Sequence, residues 1–340
     1  MTDETFMREA LAEAAKGEGR THPNPPVGAV AVRDGAVIGR GHHEFAGGPH
    51  AEINALRDAG NCAGATLYVT LEPCSTHGKT PPCTDAIIKA GIKRVVVACE
   101  DANPKHRGEG LRILCKAGID VACGIHEKEA RKMLAPFFKH VTTGLPYLTL
   151  KIAQSLDGAI ADHCGVSKWI TCAESRAFAK NELRRKCDAV MVGSGTVLAD
   201  DPSLLRADGS GLRVVLDSRG RVPKNARIFT DGHAAQTLVF ADGLQEALRR
   251  LGNMGVTHVL CEGGAALASS IINAGMADEL LVFIAPVILG ADAKRSFGAY
   301  PFDLPTAPFY KIVETKEIGT DLLVRLCPER KMSEEKCRIF

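Results

Sequence analysis

His50-Ala51-Glu52, followed by Glu72-Pro73-Cys74 and then Cys83, places one imidazole, two thiols and a carboxylate at spacings that suit a single metal centre. His50, Cys74 and Cys83 can hold zinc with three protein ligands and leave its fourth position open, as catalytic rather than structural zinc does. Water on such an ion has a pKa of about 7, so hydroxide is within reach at neutral pH. Glu52, two residues past the His, stays off the metal and can carry a proton from that water to a leaving amine. This is the apparatus of zinc nucleobase deaminases, which hydrolyse an amino group off a heterocycle. A structural zinc knuckle is the plainer alternative, and it would want a fourth Cys or His at short spacing, which the sequence lacks.

Apolar periodicity predicts the elements that must hold these groups. Glu4 to Gly17 reads as a helix with Phe6, Leu11 and Ala14 on its apolar side. Val27 to Val32 and Val37 to Arg40 read as strands, joined through Arg33-Asp34-Gly35-Ala36, whose Asp-Gly marks a hairpin turn. A helix carrying His50 and Glu52 ends near Asp58 to Asn61. Strand Thr66 to Thr70, a Pro/Gly/Ser-rich loop from Glu72 to Pro82 and a helix from Cys83 to Ala90 follow. Cys83 thereby opens a helix, where the dipole favours a thiolate. Strand Val95 to Cys99, helix Gly110 to Ala117, strand Asp120 to Cys123 and helix Glu127 to His140 complete a three-layer α/β sandwich.

With 340 residues, two domains are expected. Residues 1–146 form the first, with Val141 to Pro146 as its junction, and residues 147–327 the second, leaving a charged tail at 328–340. The second half restarts the alternation, with strands at Tyr147 to Ala153, Ala189 to Val192, Arg213 to Leu216, Thr237 to Phe240, His258 to Cys261 and Leu280 to Ile284. A net charge of +2 with no run of like charges leaves no footprint for duplex nucleic acid. No apolar stretch is long enough to span a membrane, and the amphipathic N-terminus lacks a signal-peptide core. Twelve Cys in so long a chain without a secretory signal read as reduced thiols in a cytoplasmic protein. The oligomeric state, including a homo-oligomer, stays open.

Val192-Gly193-Ser194-Gly195-Thr196 and Cys261-Glu262-Gly263-Gly264-Ala265-Ala266-Leu267 each put glycines after an apolar strand. Such turns let a phosphate approach a helix N-terminus, and they also serve as plain strand-to-helix turns. Ser155-Leu156-Asp157-Gly158 reads first as a turn. In the first half, Asn24 lies between two prolines, which hold its amide rigid as a donor and acceptor for a heterocycle edge, or as a turn residue. The generic deaminase signature spaces its cysteines as P-C-x-x-C. Here eight residues, Ser75 to Pro82, intervene, and they carry His77, Lys79 and Thr80.

Taken together, His22-Pro23-Asn24-Pro25-Pro26-Val27-Gly28-Ala29-Val30, Gly41-His42-His43, His50-Ala51-Glu52 and Glu72-Pro73-Cys74 through Thr80-Pro81-Pro82-Cys83 resemble the deaminase of riboflavin biosynthesis. Lys151 to Gly158, Ser167 to Thr171, Thr196 to Pro202, Leu216-Asp217-Ser218 and Glu262-Gly263-Gly264 resemble the pyrimidine reductase fused to it. The long loop between the cysteines belongs to that family. The resemblance implies a cytidine-deaminase-like first domain, a dihydrofolate-reductase-like second domain, zinc, NADPH and a small phosphorylated pyrimidine as substrate. It places Asn24 and His43 near the ring or sugar, with Lys79 as the phosphate contact because Glu109 stands where the family usually has a basic residue.

In the second domain the resemblance implies that Gln154, Trp169, Thr196, Asp200 and the run Gly264, Ala265, Ala266, Leu267, Ala268, Ser269 and Ser270 line the cofactor. Ser167, Arg184, Leu204, Arg206 and Glu262 would meet the substrate. Arg206 comes two residues after Leu204, one fewer than the family commonly has, so another group could take the phosphate. Asp157 and Glu262 are both open as proton donors for hydride delivery to C1 of the opened ribosylamine. The competing readings are a tRNA or single-stranded DNA deaminase with an appended binding domain, a zinc-stabilised interaction protein, and a deaminase whose reductase half has decayed.

Overall fold

The structure, a computed structural model, describes residues 2–76, 81–104, 106–298 and 301–329. Lys79, with His77 and Thr80, lies outside the described residues, as does most of the expected tail. The chain divides into two compact units, one running up to Pro146 together with Leu251–Thr257, the other Tyr147–Arg250 together with the residues from His258 onward.

In the first unit, α1 (Asp3–Gly17) starts at the Thr2 cap, whose hydroxyl accepts the Thr5 amide at 3.4 Å. It is followed by β1 (Gly28–Arg33), β2 (Ala36–His42), α2 (Ala51–Ala59), β3 (Thr66–Val69), α3 (Cys83–Lys89), β4 (Arg94–Val97), α4 (Glu109–Lys116), β5 (Asp120–Cys123) and α5 (Glu127–Thr143). The sheet order is β2-β1-β3-β4-β5. Asp34 and Gly35 take φ of 53° and 75°, the mirror-image turn that matches strand twist. β1 is buried along almost its whole length because helices cover both faces, as the three-layer reading requires.

Two features of this sheet position the first site. β1 runs antiparallel to β2 and β3, with Gly28 opposite His42 and Ala29 opposite Val69, while β3 and β4 are parallel. The start of β1 and the ends of β2, β3 and β4 therefore share one edge, and the residues leaving them converge. α2 lies unusually close to β2: a Cβ on Gly41 would sit 2.3 Å from the Ala55 nitrogen, and one on Gly39 would sit 2.5 Å from the Ala55 oxygen. Only glycine admits that approach, and it draws the start of α2 to the same edge.

After Pro146 the chain forms β6 (Tyr147–Ser155), β7 (Ala159–Ala161), α6 (Ala173–Phe178), β8 (Ala189–Gly193), α7 (Ser194–Asp200), β9 (Leu212–Leu216), α8 (Arg227–Thr230), β10 (Thr237–Phe240), α9 (Leu244–Asn253, whose last turn falls in the first unit), β11 (His258–Cys261), α10 (Ala265–Asn273), β12 (Glu279–Ala285), β13 (Lys294–Arg295), β14 (Tyr310–Ile318) and β15 (Asp321–Pro328). α6 continues directly into a π turn, Ala179–Leu183, and a 3₁₀ turn, Arg184–Lys186. Eight strands order as β10-β9-β8-β11-β6-β12-β15-β14. The run from β10 to β12 is parallel, and β15 and β14 are antiparallel additions. β7 and β13 pair separately. Val190, Val192, Val214, Val215, Val259 and Leu260 are buried, so these strands read as near-continuous apolar runs.

Two sequence expectations are corrected. Val141 to Thr143 belongs to α5, which ends at Gly144 with φ 73°, so the connection before β6 is only Gly144 to Pro146. Pro328 pairs with Tyr310 in the sheet, so the chain past Cys327 does not leave the fold at once. β14 and β15 had not been anticipated, because β14 is exposed along most of its length and alternates poorly. No helix among the described residues is long and apolar enough to cross a membrane.

Candidate active sites

His50 caps α2 in an extended conformation, and its ring makes no capping bond, leaving it free to face the cavity. Cys74 follows β3 through Glu72-Pro73, and Cys83 opens α3. The three ligand atoms lie within 4.8 Å of one another. His50 Nδ1 is 3.5 Å from Cys74 Sγ and 3.2 Å from Cys83 Sγ. A tetrahedral zinc, with bonds of ~2.3 Å to sulfur and ~2.0 Å to nitrogen, sets such pairs about 3.5 Å apart. The residues present therefore fit zinc. The Cys83 amide donates to Cys74 Sγ at 3.3 Å and fixes that sulfur.

Glu52 is 3% exposed. Burial pushes its carboxyl up to about 7, although the His50 ring opposes this. The neighbouring Cys83 thiol lowers Cys74 to about 4, and Cys83 is itself pushed up by Cys74. Asn24, His43, His50, Glu52 and Cys74 line one cavity of about 250 Å³, with Phe137 and Val141 from α5 as its apolar wall. His43 Nδ1 donates to the Pro49 carbonyl at 2.9 Å, which leaves Nε2 to accept from the Asn24 amide at 3.1 Å. His42 does not line the cavity, and its Nδ1 sits 3.4 Å from a Glu13 carboxylate oxygen.

Glu72 was missed as a site residue. Its buried carboxylate accepts the amides of Asp101 (3.1 Å), Gly108 (2.9 Å) and Gly110 (2.9 Å), tying down the loop that brings Asp101, Asn103 and His106 to the cavity. A Cβ on Gly110 would meet the Pro73 oxygen at 2.1 Å, so this loop packs directly against the cysteine segment. The Glu-Pro-Cys spacing was the available signal. Glu109 is half-buried and accepts from Arg112 Nε at 2.8 Å.

In the second unit a cavity of about 510 Å³ opens at the carboxyl ends of β6, β8 and β11, where ligands of parallel sheets bind. Trp169, Thr196, Asp200, Gly264, Ser167, Arg184, Leu204 and Glu262 all line it. A Cβ on Gly264 would meet only Thr196 Oγ1, at 3.6 Å, so the space above this glycine is open. Other expected residues stand apart. Gln154 Oε1 accepts from the Ser296 hydroxyl at 2.7 Å. Along α10, Ala268 and Ser269 are buried, Ser269 accepts the Gly298 amide at 3.2 Å, and Ser270 donates to the Ala266 carbonyl at 2.9 Å. Ala265, Ala266 and Leu267 form its first turn without lining the cavity. Arg206 also lies off the cavity, and its Nη1 donates to Ser210 Oγ at 3.3 Å.

The charges here are distinctive. Lys151, the one charged residue of β6, lines the cavity, and burial lowers its pKa. Burial also works against the Glu262 carboxylate, yet Arg184 and Lys151 together hold its pKa below the usual range. Asp157 accepts from the Ser155 hydroxyl at 2.6 Å and from the Leu289 and Gly290 amides at 3.1 and 2.8 Å. That hydroxyl first, and then the amides, lower it to about 2. Neither carboxyl is poised to give up a proton at neutral pH.

Residues 1–99 match the family model "Cytidine and deoxycytidylate deaminase zinc-binding region", and residues 146–324 match "RibD C-terminal domain". The chain is 45% identical to the riboflavin biosynthesis protein RibD of Aquifex aeolicus, over 85% of this chain and 88% of that one. It is 40% identical to the Escherichia coli protein of the same name, over 96% and 99%. A Thermotoga maritima structure, titled diaminohydroxyphosphoribosylaminopyrimidine deaminase/5-amino-6-(5-phosphoribosylamino)uracil reductase, superposes with a TM-score of 0.89 at 39% identity, covering 96% of this chain and 99% of that one. Matches that run through both halves favour two catalytic domains over a nucleic-acid deaminase with a binding appendage. The chain belongs to the RibD family of riboflavin biosynthesis, bifunctional enzymes with a deaminase domain followed by a reductase domain.

Proposed function

We propose that the first unit hydrolyses an amino group from 2,5-diamino-6-ribosylamino-4(3H)-pyrimidinone 5′-phosphate, and that the second reduces the product's ribosyl chain to ribityl with NADPH. The observation that carries this reading is that Glu52 lines the same cavity as His50 and Cys74, whose ligand atoms cluster with Cys83 Sγ. Zinc on these three ligands supplies, when bound, an acidified water as nucleophile. Glu52 holds a proton at its carboxyl and returns it to the departing amine, which leaves as ammonia. The His43 and Asn24 pair presents a fixed polar edge to the heterocycle, and Phe137 and Val141 exclude water from its face.

In the second unit Trp169, Thr196, Asp200 and Gly264 are the residues to hold NADPH, which supplies the hydride when bound. Ser167, Leu204 and the Arg184–Glu262 pair orient the opened ribosylamine. The described cysteines form no disulfide, which supports a reducing compartment such as the cytoplasm. The test follows ammonia release and NADPH oxidation separately on the purified full chain. Glu52→Gln is expected to keep its zinc and lose ammonia release by about 10²-fold or more. Undiminished turnover in that variant would overturn the assignment.

A further inference from the structure

The reductase cavity carries a row of cations along one wall. Arg176, Lys180 and Arg184 recur every four residues through the continuous stretch formed by α6, the π turn and the 3₁₀ turn, and all three line the cavity. In a pure α-helix residues four apart drift by about 40° per step, so three in succession would fan out. The π turn at Ala179–Leu183 holds an extra residue, takes back that drift and keeps the three on one face. Single π turns inside helices recur at functional sites.

Their engagements differ. Arg184 is committed to Glu262. Arg176 lies over Trp169, with its guanidinium carbon 4.3 Å from the ring centre, and donates to the Thr171 carbonyl. Lys180 is exposed, and among the described residues it has no hydrogen-bond or ion-pair partner. Lys168, which also lines the cavity, is paired with Asp200 at 3.2 Å. Lys180 is thus an uncommitted ammonium on the cavity wall, next to a second cation. Arg206, the residue the sequence had pointed to for the phosphate, is directed to Ser210 and off the cavity.

We propose that Lys180, with Arg176 beside it, receives the 5′-phosphate of the pyrimidine ribosylamine in the reductase site, the role expected of Arg206. The inference rests on the reductase reading above and identifies the phosphate end of that substrate. A phosphate dianion calls for paired cations with free donors, and an ammonium offers three rotatable N–H groups. NADPH is a second possible source of phosphate. Three of its residues, Thr196, Asp200 and Gly264, follow β8 and β11, whereas Lys180 belongs to the wall that also carries Arg184; Trp169 lies against Arg176, so the KM for NADPH is what separates the two sources.

The experiment uses the zinc-loaded full chain and Lys180→Met, with Lys180→Arg as the conservative variant. It measures reductase KM for 5-amino-6-ribosylaminouracil with and without its 5′-phosphate, KM for NADPH, and ammonia release. Lys180→Met is expected to raise KM for the phosphorylated substrate by about tenfold or more, the scale of one charge-assisted hydrogen bond. It should leave the dephosphorylated substrate, NADPH and ammonia release unchanged, and Lys180→Arg should restore most of the loss. Inorganic phosphate should compete with the substrate in the parent chain and compete more weakly in Lys180→Met. An intact preference for the phosphorylated substrate in Lys180→Met overturns the proposal, as does a KM for NADPH that rises in step. If the parent chain oxidises no NADPH with either substrate, the reductase reading itself falls.

Discussion

Arg184 and Glu262 meet as a two-pronged ion pair, Nε to Oε1 at 2.6 Å and Nη2 to Oε2 at 3.0 Å, with side chains only 16% and 13% exposed. Arg184 also donates to the Leu205 carbonyl at 3.1 Å, so one guanidinium joins the end of β11 to the loop carrying Leu204. Removing one partner of so buried a pair leaves the other charge uncompensated, at a cost of about 3–5 kcal/mol. Arg184→Met is therefore expected to lower the unfolding midpoint and abolish NADPH oxidation, while Arg184→Met with Glu262→Gln recovers part of the stability. Additive losses in the double variant, read by thermal unfolding, would show that the two act independently.

Zinc removal should separate the two activities. Chelation is expected to stop ammonia release and expose Cys74 and Cys83 to thiol reagents, while reduction of an already deaminated substrate continues. One equivalent of zinc should restore the first activity and protect the two thiols again. Loss of both activities on chelation would mean that the metal serves the whole chain.

Gly264 faces open space, whereas a Cβ on Gly263 would strike Leu267 at 2.8 Å. Gly264→Val should accordingly fold normally and raise the KM for NADPH by about tenfold, by filling the room a ligand's phosphate needs beside the helix start. Ammonia release should not change. A fall in unfolding temperature with no change in KM would assign this glycine to packing instead.

Acid stability gives a test with a definite sign. Asp157 ionises near 2 in the fold against an ordinary 3.8. Between those values the unfolded chain binds more protons, so this group's contribution is complete above about pH 4 and is lost as pH falls through 2. Trp169, the single tryptophan, reports on the same unit. Denaturant unfolding followed by its fluorescence should show a weaker pH slope between 2 and 4 in Asp157→Asn than in the parent chain, and parallel slopes would contradict the assignment.

Most regular elements lie within two residues of where apolar periodicity puts them, because short buried strands and amphipathic helices write their faces into local sequence. In the second half only the parallel strands were placed; β7, α6 to α9, the π turn, β13, β14 and β15 were not. A π turn differs from an α-helix by one residue, and β14 is exposed, so neither leaves a periodic trace. In the first site the residue types were legible because the chemistry needs His, Cys and Glu at fixed spacings. Glu72 was not, since its role depends on three backbone amides from a loop 29 to 38 positions away.

The sequence was enough to say which groups could bind zinc and move a proton, and that a second α/β half follows. Tertiary structure alone decided which of the chain's many cations reach a cavity. The family's pattern singles out Arg206 and nothing in the sequence singles out Lys180, yet Lys180 lines the cavity while Arg206 does not. The reason is that a side chain's aim is set by one-residue changes of helical phase and loop length, which alter direction without altering composition.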